Sequence, residues 1–589
     1  MSSPRPEATT ALWWSLLAAV GTGVLGDVYL LWGRASASAF AAPALLVPAL
    51  IAAALLAVCL AAAFTLWPSS RPAAAAGTGI LLLAAALAVL NLVPPVARDE
   101  LTHHLALPAL YLRVQRIVEI PFAEQSYYPM LLEMAYTPLL LGLPDQLPKF
   151  LHLLYGLASA ALLALYVRRQ EGPGAAALAA LLVLSTPVVF VLAASAYVDL
   201  GLLFYATGAL VALLTWAEQP RPGWLITAGL LAGCAGATKY NGMLVIPLLA
   251  AGTVLLPQPA MSNRRQLAAA AIFIAAALVV PSPWLIKNWT ETGNPIFPLF
   301  NTLLHGRPLP ARASLDFLTQ RRALYGESWL EIALLPVRIF ITGREGDPAR
   351  FDGVLSPLLL LGFAAVRRGA SRREWLLAAY AAGFALSAFL LTALRVRYSI
   401  AIVAPLVLLT VQYWLHLHRA GGATAALAGL ALGGALLFSA GHCGQLWLRL
   451  APLSYLSGRL DRHAYIAQFI PEYPVLRVAN SQLPASARIH LAFLGNRSYY
   501  CEREYVYDFG LSGGTLRRHI EAADSAAAIA RSLRAEGISH LVTANALLDD
   551  YVQHNLAAAP GQRWAEFSRQ YLLLLYSENG FGLYEIREP

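Results

Sequence analysis

Residues 174–216 read GAAALAALLVLSTPVVFVLAASAYVDLGLLFYATGALVALLTW, two apolar runs parted by one charge, Asp199. Each run, 174–195 and 200–216, approaches the roughly 20 residues that an α-helix needs to cross a bilayer. The link between them is too short for anything but a tight helical hairpin. Asp199 therefore sits at one membrane boundary, where an uncompensated carboxylate is costly and so becomes a functional candidate; an interfacial helix cap is the plainer alternative. Working outward, comparable runs fall at 11–32, 40–66, 75–97, 147–167, 222–238, 242–256, 267–286, 354–366, 375–394, 398–415 and 423–443. The expectation is a polytopic α-helical membrane protein with about 13 transmembrane helices. Ala35-Ser36-Ala37 after the first run resembles a signal-peptidase site, yet the run has the length of a span.

Across 589 residues, 58% are hydrophobic and 13% charged, with a mean hydropathy of +0.58. Such a chain is neither disordered nor an ordinary soluble enzyme. The net charge of +9 comes largely from short clusters between apolar runs: Arg168-Arg169, Arg264-Arg265, Arg367-Arg368 and Arg372-Arg373. That is the positive-inside pattern, without the continuous basic face that a nucleic-acid partner requires. With the N-terminus cytoplasmic, these clusters and Arg71, Arg221 and Arg419 share the inner side. The same parity places 98–146, 196–199, 239–241, 287–353, 395–397 and everything after 443 outside. Trp32, Trp67, Trp216, Trp284, Trp375 and Trp414 fall near run ends, as interfacial anchors do. The expected site is the cytoplasmic (inner) membrane, with membrane lipid as a constant partner.

Two outer loops exceed what a hairpin needs. The loop 98–146 carries amphipathic stretches at 100–116 and 130–141, expected to lie along the interface; the loop 287–353 is irregular and polar. The chain divides into a membrane domain, 1–443, and an extracytoplasmic domain, 444–589. In the latter, 487–494 and 539–544 read as strands, 525–536 as a helix ending at Gly537, and 571–587 as a hairpin around Asn579-Gly580. This is a small α/β domain with no nucleotide-binding glycine motif. The four cysteines show no metal-binding spacing; Cys443 and Cys501 share a compartment, and a bridge between them is one option.

Chemistry-bearing residues gather on the outer side. Arg98-Asp99-Glu100 closes the third run, and helical spacing sets Asp99 against His103 and Glu100 against His104. A carboxylate there supplies a base, and the acid/His set, Glu100 and His104 above all, is a candidate divalent-metal site; a polar helix face explains the spacing equally well. Lys239-Tyr240-Asn241, Arg395 with Arg397, and Lys287 form further outer cationic positions suited to a phosphate.

RDELTHHLALPALYL, YVDLGLLFY, GATKYNG, PWLIKNWTETGNPIFPLF and RYSIAIVAP, in this order across about residues 75–410, resemble the polytopic GT-C glycosyltransferases. The likeness is to the bacterial relatives of protein O-mannosyltransferases and of the aminoarabinose lipid A transferase. It implies an inverting enzyme that moves a sugar from a polyprenyl-phosphate carrier to a glycan, lipid or protein acceptor outside the cytoplasmic membrane. By the same resemblance Asp99 is the general base, Glu100 the second acid of the pair, Asp199 the acid of the second outer loop, and Lys239 and Arg397 the neutralisers of the leaving phosphate. His103 departs from the tyrosine common in relatives, whereas His104 fits a known variant. No cofactor is certain, a divalent metal being the one candidate. The rival reading is a lipid-linked sugar transporter or flippase, which would carry its polar residues nearer helix midpoints.

Overall fold

The computed structural model describes residues 6–66, 71–256, 261–308, 317–367, 369–391, 393–508 and 514–589; the expectations at Trp67 and Arg368 lie outside them. It resolves into two compact units. One comprises Met1–Val93, Pro129–Lys287 and Leu315–Pro452, the other Pro94–Tyr128, Asn288–Ser314 and Leu453–Pro589.

The first unit is built from alanine- and leucine-rich helices. Among the described residues, seven helices are long and apolar enough to cross a membrane: Glu7–Ala35, Ala42–Phe64, Ala73–Asn91, Leu147–Glu171, Asp199–Glu218, Val396–Arg419 and Gly422–Leu456. Asn263–Val279 and Ser282–Thr292, bent by 60°, make an eighth if counted as one span. These helices do not by themselves confirm the expected count of about 13. Of the other runs, 375–394 forms the unbroken helix Arg372–Leu391, and the rest are shorter or broken. Run 174–195 splits into Pro173–Ser185 and Pro187–Leu192, because Pro187 has no N–H to continue the ladder. Thr186 Oγ1 instead donates to Leu182 O at 2.7 Å. Run 354–366 holds only the turns Pro357–Leu360 and Leu361–Ala364.

Other expectations shift with burial. Trp216 and Trp284 are buried within the protein; Trp284 donates its indole N–H to Asp27 at 3.2 Å. Residues 130–138 are all buried, so the second amphipathic stretch is core. Lys149, also buried, donates to Leu90 O and Val93 O at 3.1 and 3.0 Å, satisfying carbonyls left open where Arg71–Asn91 ends.

The helical unit has two chemically distinct ends. At one, the Arg169 guanidinium meets Glu218 at 3.0 Å, Arg419 meets Glu171 at 2.7 Å, and Arg373 lies 5.2 Å over the Tyr166 ring. These contacts join segments that the charge pattern assigns to one side. The other end holds Asp199, the first residue of Asp199–Glu218. A helix of that length separates its two ends by about 30 Å.

The second unit contains a five-stranded sheet of order β2-β1-β3-β5-β4, formed by β1 (Arg488–Ala492), β2 (Glu504–Tyr507), β3 (His540–Ala544), β4 (Leu572–Glu578) and β5 (Phe581–Ile586). β1 runs parallel to β2 and β3, while β5 is antiparallel to β3 and β4. The helix Ala526–Ala535 is capped by the Ser525 hydroxyl, which accepts from Ala528 N. It ends at Gly537 with φ +78°, the left-handed position that favours glycine. Ile529, Leu533, Leu541, Trp564 and Phe567 form its core. Cys443 and Cys501 are both free thiols, so the bridge is not formed.

Candidate active site

In the helical unit Asp199 is wholly buried and pairs with Lys239 Nζ at 2.9 Å. Its Oδ1 takes that contact, while Oδ2 has no hydrogen-bond partner among the described residues. The neighbouring Leu200 N–H donates to His152 Nε2 at 2.9 Å, and His152 Nδ1 faces Ser195 O at 2.7 Å. This imidazole pins the first turn of the helix. The carboxylate also lies at a helix N-terminus, where the macrodipole favours negative charge.

Lys239 ends the helix Pro222–Thr238 in extended conformation, and Tyr240–Leu244 continues as a tight turn. Gly242 is required there, since a Cβ would collide with Ala235 O. Asn241 Nδ2 donates to Tyr398 O at 2.6 Å, tying this turn to the segment Val396–Ile402. Tyr398 is a shared aromatic platform. Lys239 Nζ sits 4.6 Å from its ring centroid, Arg397 5.2 Å and Arg395 6.0 Å. Arg397 also lies 5.0 Å over the Tyr197 ring, and Arg395 pairs with Asp352 at 3.2 Å. Such stacking holds cations in place while leaving N–H groups for an anion.

The structure thus unites Asp199, Lys239, Tyr240, Asn241, Arg395 and Arg397. Lys287 is buried in the same unit, on the bent helix Ser282–Thr292. Sequence reasoning missed Glu133, His152, Tyr197, Tyr398 and Asp352. Glu133 is buried in the short helix Glu133–Leu139. Burial first, and the Asp199 charge, push its carboxyl up to about 8 against the pull of Lys239. It is the neutral member of the group at pH 7.

The second unit holds Asp99, Glu100, His103 and His104. Residues Glu100–His104 form a π-turn, with Leu105 N donating to Glu100 O at 2.9 Å. This i→i+5 pitch alters the expected pairing. Asp99, His103 and His104 bring ligand atoms within 4.8 Å of one another, whereas a Glu100 oxygen accepts from Ala97 N at 2.8 Å. One carboxylate and two imidazoles match a catalytic zinc-type donor set better than Glu100 with His104. The C-terminal segment fixes this turn. Leu101 O accepts from Ser498 N and Tyr499 N at 3.0 and 3.1 Å, Tyr500 OH donates to Pro95 O at 2.7 Å, and Leu101 packs among Ile466, Ile470 and Tyr473.

Known proteins share part of this chain's sequence and its fold. Three particular likenesses define the relation. Residues 139–286 match the profile of the family described as Dolichyl-phosphate-mannose-protein mannosyltransferase. Over 208 residues the chain is 26% identical to the lipid A galacturonosyltransferase RgtD of Rhizobium johnstonii, an alignment covering 33% of this chain and 40% of that protein. ArnT from Cupriavidus metallidurans in its apo state has the same fold, with a TM-score of 0.54 at 15% identity over 87% of this chain and 98% of that one. ArnT bound to undecaprenyl phosphate gives 0.52 at 14% identity over 88% and 98%.

Proposed function

We propose that the protein is an inverting glycosyltransferase that moves a sugar from a polyprenyl-phosphate carrier to a glycan, lipid or protein acceptor at the outer face of the cytoplasmic membrane. The observation that carries this reading is the buried Asp199–Lys239 pair with Arg395 and Arg397 stacked on Tyr398. These cations suit a phosphate, and the fold is shared with a protein solved in complex with undecaprenyl phosphate.

In this mechanism the acceptor O–H or N–H attacks the anomeric carbon from the face opposite the phosphate, and its proton passes to Asp99. The bond from the anomeric carbon to the phosphate oxygen breaks, and the electron pair stays on that oxygen. Lys239 and Arg397 offset the charge that develops there. Asp199 holds Lys239 in position. Protonated Glu133 keeps a second negative charge away from the pair. Where a divalent metal is held by Asp99, His103 and His104, Asp99 would act as its ligand rather than as the base, and the metal would polarise the acceptor as a Lewis acid.

The test is transfer from radiolabelled polyprenyl-phosphate sugars in membranes carrying wild type or Asp99→Asn at matched expression, with and without chelator. Loss of transfer in Asp99→Asn supports the base assignment, and chelator sensitivity supports the metal. Transfer equal to wild type in Asp99→Asn would remove that residue from the chemistry.

A further inference from the structure

Within the helical unit a cavity of about 520 Å³ opens between the loop 343–354 and the helix Gly422–Leu450. Arg344, Glu345, Arg350, His442, Gln445 and Arg449 line it. Arg350 has only a loose contact with Asp347, at 3.9 Å. No carboxylate lies within ion-pair distance of the Arg344 or Arg449 side chain among the described residues. Burial and the neighbouring Asp352 charge push the Glu345 carboxyl up to about 7, against Arg449, Arg397 and Arg395. Three guanidinium groups, Arg344, Arg350 and Arg449, therefore line the cavity beside the single Glu345 carboxyl. The cavity is also larger than a lone phosphate needs and falls in the range that accommodates a sugar-sized ligand.

The loop that forms it is tied to the site already described. Asp352 Oδ1 accepts from Gly346 N at 2.9 Å, and its other oxygen pairs with Arg395. Asp352 thus links the backbone of the cavity loop at Gly346 to Arg395 of the first centre.

We infer that this cavity is a second phosphate site, taking a phosphate monoester on a saccharide or lipid headgroup through Arg344, Arg350 and Arg449, and distinct from the Lys239–Arg397 centre. The inference builds on the donor reading above. Guanidinium forks suit phosphate oxygens, and a second phosphate beside the first is what a phosphorylated acceptor headgroup, or a spent carrier awaiting release, would present.

The test counts bound molecules on the purified full-length protein by native mass spectrometry, with dihexanoyl phosphatidate as the probe. Wild type is expected to bind two, Arg344→Gln/Arg449→Gln one, and Lys239→Gln/Arg397→Gln one. The molecule retained by each variant reports that it is folded. Arg344→Lys/Arg449→Lys, which keeps the charge, should bind two with the second weakened. The second site is overturned if Arg344→Gln/Arg449→Gln binds as many as wild type, or if wild type binds a single molecule lost from both Gln variants. The donor reading fails separately if Lys239→Gln/Arg397→Gln binds as many as wild type. Displacement of the cavity's molecule by N-acetylglucosamine 1-phosphate assigns the site to an acceptor headgroup, and displacement by undecaprenyl phosphate alone assigns it to the carrier; either upholds the site.

Discussion

The two ends of the helical unit carry similar residues in different states. At the Arg419 end, Arg419 and Glu171 form a pair whose arginine is 66% exposed, an arrangement of little energetic weight in water. At the Asp199 end the acid is 0% exposed and its ammonium partner 21%. Burying that carboxylate costs several kcal/mol in desolvation, which one ion pair only partly offsets. A fold keeps such a cost where the charge is used. Exposure separates the Arg419–Glu171 pair from the Asp199–Lys239 pair, although Arg169 at the Arg419 end is itself buried against Glu218.

The largest effect expected from this contrast is on Lys239. Lys239→Met leaves Asp199 buried without its cation, so thermal denaturation in detergent should show a loss of about 3–5 kcal/mol. Adding Asp199→Asn should recover much of that stability while leaving transfer abolished. A double variant as unstable as the single one would show that the pair is not the source of the cost.

Next comes Arg397→Gln. Losing a charged hydrogen bond to phosphate, worth about 1.5–3 kcal/mol, should raise the donor KM by roughly 10- to 100-fold, with the acceptor KM unchanged. An equal rise in both would spread the role of Arg397 across both substrates.

Glu133 sharpens the comparison through pH. Its carboxyl is raised to about 8 from 4.5, so the folded protein keeps a proton that the unfolded chain releases. Its contribution to stability is fully present below about pH 4.5 and is lost as pH rises to about 8, after which the curve flattens. Transfer should also fall above about pH 8, where ionised Glu133 competes with Asp199 for Lys239. Glu133→Gln should flatten both profiles; profiles unchanged in that variant would place the titration elsewhere.

The smallest effect belongs to Arg419→Gln, with stability within about 0.5 kcal/mol of wild type and transfer unchanged.

Much of this was legible in the chain. The arginine clusters marked one end because charges collect where apolar runs stop. β1, β3, β4 and β5 and the helix Ala526–Ala535 followed from strand-like runs, Gly537 at the helix end and the Asn579-Gly580 turn. β2 escaped because four residues, Glu504–Tyr507, carry too little pattern. Residues 130–141 looked interfacial since amphipathicity does not reveal whether other helices cover the polar side. Regrouping of Asp99 with both His103 and His104 depends on a π-turn that ordinary helical spacing does not anticipate. Tyr197 and Tyr398 could not be singled out as cation platforms, because their partners lie far away in sequence and aromatic residues are common at helix ends.

The most direct measurement is label transfer from a polyprenyl-phosphate sugar in membranes carrying wild type, Lys239→Gln, Arg397→Gln or Arg419→Gln at matched expression. The account predicts loss in Lys239→Gln, a reduced rate at limiting donor in Arg397→Gln, and wild-type transfer in Arg419→Gln. Full transfer in Lys239→Gln, or a loss in Arg419→Gln equal to that in Arg397→Gln, would contradict it.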